Sequence, residues 1–223
     1  RGRPADIICS AGGKDGEKGN FTPDPITDCP TFDDPLAGRS EPFAGSCTHD
    51  DLVISGRAAS LTPGVYCGGL RLSDLADVTL APGLYVMRDG PLAISGGAKV
   101  SGDGVGIYLT GTGAVIDTAS DSTLSLSAGT SGGMAGVFMF GGRGQPAGGP
   151  HKPLLEKAPP PGGKLAIGGS AKVGADSAYT AIVARMLEVT GGPQVVLNTN
   201  YDQTDVPVPD GIKGAGQPLA LTK

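Results

Sequence analysis

The chain has 223 residues, enough for one or two domains with a substantial buried core. It contains 39 Gly, 19 Pro and no Trp, yet a hydrophobic content of 39% and a charged content of only 17% argue against a disordered chain. The net charge of -5 disfavours nucleic-acid binding, and no apolar run is long enough to cross a bilayer. The sequence begins at Arg1 without a signal-peptide pattern, so we expect a processed form or fragment of a longer protein.

Residues 1–50 show no clear alternation of apolar and polar side chains, and we expect an irregular start to the domain. The polar stretch at 12–20 lacks the ligand spacing of a calcium-binding loop, which favours a solvated loop. The histidine and two aspartates at 49–51 would alternate between the two faces of a strand. We therefore expect neither a metal site nor a cofactor here.

Four cysteines form two pairs, Cys9 with Cys29 and Cys47 with Cys67, and each pair is separated by 20 residues. Residues one coil apart in a stacked sheet lie about 4.7–4.9 Å from each other, within the Cα range of a disulfide. Of the three possible connectivities we predict 9–29 with 47–67. A zinc site is the alternative, but it normally uses close CxxC pairs, which are absent. Disulfides predict a location outside the cytoplasm.

A repeated phrase of alternating apolar residues begins at Leu52, Leu70 and Leu92, and degraded copies begin at Leu165 and Leu187. Alternation is the period of a strand, and a repeat of about 18–24 residues is typical of a solenoid whose unit is one coil. Each coil buries its inward residues only by stacking on its neighbours. The sequence therefore predicts an all-β fold, a parallel β-helix.

The regular coils are expected over residues 51–140, where a second phrase, L-x-P-G-x-Y, follows the first. Its dipeptides, Pro63-Gly64 and Pro82-Gly83, predict type II turns, because proline presets φ at the second position and glycine accepts the positive φ at the third. These four residues are the predicted structural turns between coils.

The second half of the chain is expected to complete a single β-solenoid domain over residues 1–223. The Gly- and Pro-rich stretch 141–163 predicts a loop excursion, which is a surface loop or a contact site. Final coils are expected over 164–204, and residues 178–188, which favour helix by composition, fit the coil register as a strand. The Pro- and Gly-rich tail 205–223 is not a central strand and is expected to cover the last coil.

Several long segments resemble the C-terminal region of TadG-like proteins from the tight-adherence (Flp) pilus-assembly systems of alphaproteobacteria. The matching segments are 61–69, 80–91, 104–110, 177–185, 197–201 and 205–209. The resemblance implies an envelope or cell-surface protein associated with pilus assembly and adhesion, and it supplies no catalytic residues. The shorter L-x-P-G-x-Y phrase also resembles bacterial ice-binding β-solenoid domains.

The leading hypothesis is a non-enzymatic structural or adhesive component, located outside the cytoplasm. Its expected partners are other copies of itself or pilus and envelope components. Open coil ends are templates for edge-to-edge pairing, so end-to-end association into fibres is a further expectation.

An enzyme acting on polysaccharide is an alternative, since many β-helix proteins have that activity. A glycosidase needs two carboxylates about 5–9.5 Å apart in one cleft. Asp74, Asp77 and Asp103 lie near turns, but the sequence does not place any two of them together. We therefore predict no catalytic residues.

A surface that binds ice or another flat crystal is the second alternative. It requires a regular outward array of small side chains on stacked coils. Ser55, Ser73 and Ser95 occupy the same position of the repeat, but Gly168 and Thr190 replace serine in the later copies.

Overall fold

A computed structural model shows a parallel β-solenoid, which confirms the predicted fold class. The structure describes residues 9–10, 24–30, 36–119, 121–142, 164–169, 172–173, 186–191, 194–195, 205 and 207. No helix occurs within these ranges, and every strand pair in them is parallel. The strands are β1 (Cys9–Ser10), β2 (Ile26–Thr27), β3 (His49–Ser55), β4 (Ala58–Leu61), β5 (Gly64–Ser73), β6 (Asp77–Leu80), β7 (Gly83–Arg88), β8 (Leu92–Ile94), β9 (Lys99–Gly102), β10 (Val105–Thr110), β11 (Ile116–Thr118), β12 (Thr123–Leu126), β13 (Met139–Gly141), β14 (Lys164–Gly169), β15 (Lys172–Val173), β16 (Met186–Gly191) and β17 (Gln194–Val195).

The coils have three sheet faces, which we call faces A, B and C. Face A contains the first half of β5 with β7, β10 and β13, and face B contains the second half of β5 with the end of β3, β8, β11, β14 and β16. Face C contains β4, β6, β9 and β12, and β15 lies against β12. The chain therefore visits A, B and C in turn in each regular coil.

The core lies inside the three faces because alternate residues of each strand point inward. In β6, Val78 and Leu80 are buried, whereas Asp77 and Thr79 are exposed. On face B, the apolar residues of the repeat stack in columns from coil to coil. One column is Leu52, Leu70, Leu92 and Ile116, and the other is Ile54, Leu72 and Ile94, which the buried polar residue Thr118 continues. The repeated phrase of the sequence thus becomes a continuous apolar interior.

The bend between faces A and B falls inside β5 and depends on two glycines. Gly68 and Gly69 have φ of 70° and 93°, in the left-handed region that disfavours other residues. A Cβ on Gly69 would collide with the backbone O of Pro91 and lie 2.7 Å from its N. This corner therefore requires glycine for both conformation and space.

The backbone geometry corrects the predicted type II turn at Pro63-Gly64. Gly83 does have a positive φ, of 139°, and it packs against Pro63. Gly64, by contrast, is not among the residues with positive φ, so Pro63-Gly64 is not a type II turn. Gly64 is already extended as the first residue of β5, where a Cβ would lie 2.8 Å from Thr48 Oγ1. Lack of space, rather than a left-handed backbone, explains this glycine.

The segment boundaries can be compared with the strands where these are described. Regular pairing begins at His49, within the segment expected to be irregular, and β13 ends at Gly141. Most of the 141–163 excursion and of the 205–223 tail lies outside the described residues. Of the ambiguous stretch 178–188, only the last three residues are described, and they belong to a strand.

Candidate functional site

The outer side of face A is buried as well as its inner side. In β10, all residues from Val105 to Leu109 are buried, as expected for a parallel strand covered on both faces. The outward side chains of this face form an apolar cluster separate from the interior core. Its buried members are Leu36, Val65, Cys67, Val86, Tyr108, Met134, Val137 and Phe140. Something other than the coils themselves must therefore cover face A.

The cover has two parts: the loop before β13, which contributes Met134 and Val137, and the segment from residue 36 to residue 47, which we call the strap. At its C-terminal end, Cys47 is joined to Cys67 of β5 by a disulfide with a Cα–Cα distance of 5.7 Å, as the sequence predicts. One coil further on, Nη1 of Arg88 in β7 donates a hydrogen bond to the carbonyl oxygen of Gly45 at 2.8 Å. The strap thus leaves β5 and crosses onto β7.

The N-terminal part of the strap contacts the following coils. The hydroxyl of Tyr108 in β10 donates a hydrogen bond to Oε2 of Glu41 at 2.9 Å. Nη1 of Arg39 donates to the carbonyl oxygens of Gly133 at 2.9 Å and Ala135 at 3.0 Å, in the loop before β13. The strap therefore runs across the strands of face A and ties successive coils together along the solenoid axis.

The Cys47–Cys67 disulfide lies near both a cation and a carboxylate. Nη2 of Arg88 lies 2.7 Å from Sγ of Cys47, and a carboxylate oxygen of Asp50 lies within 4.8 Å of both sulfurs. Two thiolates and a carboxylate are metal ligands, but here both sulfurs are bonded to each other. Only the Asp50 oxygen remains as a donor, so this group is not a metal centre in the oxidised protein.

The second predicted disulfide is described in part. The backbone of Cys9 pairs with Ile26 in a parallel register, and Cys29 is disulfide-bonded. The side chain of Cys9, the predicted partner of Cys29, lies outside the described residues.

Face C carries a row of hydroxyl side chains on its outer surface, which we call the hydroxyl ladder. Its members, in register from coil to coil, are Ser60, Thr79, Ser101 and Ser125. The adjacent outward column is Ala58, Asp77, Lys99 and Thr123. Neighbouring members of a column are about 4.7–4.9 Å apart because that is the spacing of paired strands. Ser60, Thr79 and Ser101 are exposed, so face C presents a regular polar surface to solvent.

The repeat pattern does not single out this ladder: the array considered from the sequence, Ser55, Ser73 and Ser95, lies at the corner after face B. Ser55 Oγ and Ser73 Oγ both donate to Oδ2 of Asp74, at 2.5 and 3.0 Å, and Ser95 Oγ donates to the Leu72 carbonyl at 3.3 Å. These hydroxyls are engaged in local hydrogen bonds and do not form one outward array. The signal for the ladder is a hydroxyl residue directly after an apolar residue in the face C strand of each coil.

The hydrogen bonds to Asp74 have an electrostatic effect. Both serine hydroxyls donate to its carboxylate, and these bonds, that from Ser55 first, hold the pKa of Asp74 below its usual value. Asp74 also has a φ of 53°, so the corner combines a strained backbone with a bound carboxylate.

The strand register separates two of the aspartates considered for a glycosidase, Asp77 and Asp103. Asp77 pairs in register with Lys99, which places Asp103 four residues further along the strand direction. Four residues of extended strand span roughly 13 Å, beyond the separation that glycosidases use. Asp103 Oδ1 instead accepts a hydrogen bond from Ser127 Oγ at 2.9 Å. The register therefore excludes Asp77 and Asp103 as a catalytic pair.

Together these features define a class of protein: a three-faced parallel β-solenoid with a disulfide-anchored strap. Comparison with protein-family models, curated proteins and solved structures found no match. Over the described ranges, no helix has the length and apolar character needed to span a membrane.

Proposed function

We propose that the protein is a non-enzymatic structural or adhesive component of the bacterial envelope or cell surface, linked to pilus assembly. The strap carries this proposal, because it fastens several coils together along the solenoid axis by side-chain hydrogen bonds and a disulfide. Such bracing suits a protein that bears load at a surface. Disulfides persist in oxidising compartments, which supports a location outside the cytoplasm. The likeness to TadG-like proteins supports the link to pili.

Self-association is the mode of assembly that we favour. Within the described ranges, β3 pairs only with β5 and β4 pairs only with β6, so the opposite edges of these strands carry no ladder partner there. Unpaired edges accept further strands, and repeated head-to-tail contacts that do not close generate fibres. The partner is therefore another copy of the chain or an envelope component with a matching edge.

Deletion of the gene from its host tests the envelope role. We expect surface attachment and pilus assembly to fall and the wild-type gene to restore both. A matched complementation with Cys47→Ser/Cys67→Ser should restore them less well, because the strap loses its covalent anchor. Normal attachment and normal pili in the deletion strain would refute the proposal.

The hydroxyl ladder favours a second candidate function, binding to ice or another flat crystalline surface. Small hydroxyl side chains at constant spacing on an exposed sheet provide a regular array of hydrogen-bonding groups. Asp77 and Lys99 interrupt the neighbouring column with charge, so the ladder is a single row.

Partition of the protein into growing ice tests this candidate with a matched pair of variants. Ser101→Lys places a long charged side chain in the middle of the ladder, and Ala93→Lys places the same side chain on the outer side of face B in the same coil. We expect partition to be lost only in the first variant. Equal partition of the wild type and both variants, or none at all, would exclude ice binding by face C.

A further inference from the structure

The strap is held on the solenoid by interactions of a different kind from the backbone hydrogen bonds that hold the strands beneath it. No strand forms between residues 36 and 47, and within the described ranges the strap does not join the sheet ladders. Leu36 is buried, but Phe43 is 90% exposed and contributes little to packing. The strap is therefore held by side-chain contacts and by one covalent bond at its C-terminal end, the Cys47–Cys67 disulfide.

We propose that the Cys47–Cys67 disulfide is a redox latch, whose reduction releases the strap from the outer side of face A. The reductant is a dithiol, either a small molecule or a thiol–disulfide oxidoreductase. Its thiolate attacks the sulfur of Cys47, a mixed disulfide forms, and Cys67 leaves as a thiolate. The second thiol of the reductant then releases Cys47. Two electrons and two protons pass to the protein cysteines, and the reductant becomes a disulfide.

The surroundings of Cys47 suit this exchange. Cys47 is exposed, whereas Cys67 is buried under the strap, so the attacking thiolate reaches Cys47 first. Arg88, 2.7 Å from the Cys47 sulfur, stabilises the thiolate that leaves in the second step. The Asp50 carboxylate, which has an oxygen within 4.8 Å of both sulfurs, opposes this effect. Arg88 also donates a hydrogen bond to the Gly45 carbonyl oxygen. The same side chain therefore contacts both the Cys47 sulfur and the strap backbone.

Release of the strap need not unfold the solenoid. The apolar residues under the strap, such as Val86 and Tyr108, form a cluster distinct from the interior core. The interior cluster, which includes Val78 and Val100, has no member from the strap. Opening the latch therefore exposes the part of the outer surface of face A that lies under the strap and leaves the inward packing of the coils in place.

Hydrogen exchange measured by mass spectrometry with and without a dithiol tests the latch. The Cys9→Ser/Cys29→Ser variant is the proper background, because it leaves Cys47–Cys67 as the only reducible bond. On reduction we expect exchange of strap amides to rise about tenfold or more, while β6 and β9 keep their protection. A hydrophobic dye should bind the reduced form more strongly.

Two control measurements distinguish a local effect of the disulfide on the strap from a stabilisation of the whole fold. Cys47→Ser/Cys67→Ser should show an open strap that no longer responds to the dithiol. If the background variant does not fold, the wild type is reduced and the thiols formed are identified by alkylation. Failure of the dithiol to reduce Cys47–Cys67 in the folded protein would overturn the proposal, as would a reduced protein with an unchanged strap. Equal loss of protection in the strap, β6 and β9 would overturn it too, since the bond would then stabilise the whole fold.

The role of Arg88 has its own readout. In the reduced protein, Arg88→Gln should slow alkylation of Cys47 at neutral pH severalfold, because less thiolate is present. Arg88→Lys should restore much of the rate. Identical alkylation rates in all three proteins would remove Arg88 from the mechanism.

Discussion

At the scale of single residues, the corner after face B shows how side-chain hydrogen bonds make stability depend on pH. Ser55 and Ser73 lower the pKa of Asp74 relative to its value in the unfolded chain. A lowered carboxyl pKa contributes stability above about pH 4, and that contribution is lost as the pH falls through the folded-state pKa. Protonation weakens the two hydrogen bonds that the carboxylate accepts.

We expect Ser55→Ala to raise the pKa of Asp74, measured by NMR titration of its carboxyl carbon. Ser95→Ala is the matched control, because Ser95 occupies the same place of the repeat two coils on and bonds to the Leu72 carbonyl instead. Asp74→Asn should remove this part of the stability loss in acid. Titration of Asp74 at its ordinary pKa in the wild type would contradict the argument.

Leu75 is the second residue of this corner with a consequence for stability. It has a φ of 62° and a side chain that is 77% exposed, so burial of the side chain does not offset the backbone strain. We expect Leu75→Gly to raise the free energy of unfolding by about 0.5–1 kcal/mol, since the relief of roughly 1–2 kcal/mol is partly offset by glycine's freedom when unfolded. The measurement is urea denaturation, with Leu75→Ala as control. Equal stability of the two variants would refute the explanation.

At the scale of secondary-structure elements, the bend in β5 explains how one strand serves two faces. Gly69 and Gly113 both have positive φ, of 93° and 74°, but only Gly69 faces neighbouring backbone atoms. We expect Gly113→Ala to cost about 1–2 kcal/mol through backbone strain alone. Gly69→Ala should cost about 1–3 kcal/mol more, because the new methyl group collides with Pro91. Equal destabilisation would mean that the coils separate easily at this corner.

The elements were predictable from sequence to the extent that they depend on local pattern. The alternation of apolar and polar residues and the leucine that begins each repeat are local features of the sequence. They predict the fold class. Register between coils is not local. Tyr66 and Tyr85 occupy the same position of the L-x-P-G-x-Y phrase, which would predict that they pair. In the structure, Tyr85 pairs with Gly64 instead. Tyr108 pairs with Val86 and lies on the outer side, under the strap.

The candidate surfaces were harder to predict for the same reason. The strap contacts residues up to 96 positions away in sequence, and several of its hydrogen bonds are accepted by carbonyl oxygens, which any residue carries. The Cys47–Cys67 spacing was its only signal in the sequence. The hydroxyl ladder depends on which of several serines share a register, and coil lengths that differ by a few residues obscure it.

At the scale of the whole molecule, the stacking of coils determines stability and, in the proposed fibres, the direction of assembly. Each coil buries its interior against the next, so an end coil presents the surface that an internal coil covers. The strap closes face A, whereas face C remains open and polar. Growth of the structure beyond one molecule is therefore expected along the solenoid axis rather than sideways through face A.

Negative-stain electron microscopy of the oxidised protein over a range of concentrations tests self-association most directly. We expect fibres whose axial repeat is close to the length of one molecule and whose number grows with concentration. A matched sample of Ser60→Pro, a residue of the edge strand β4, should form fewer fibres, because proline removes one backbone donor from that edge. Discrete single particles at every concentration would contradict end-to-end assembly.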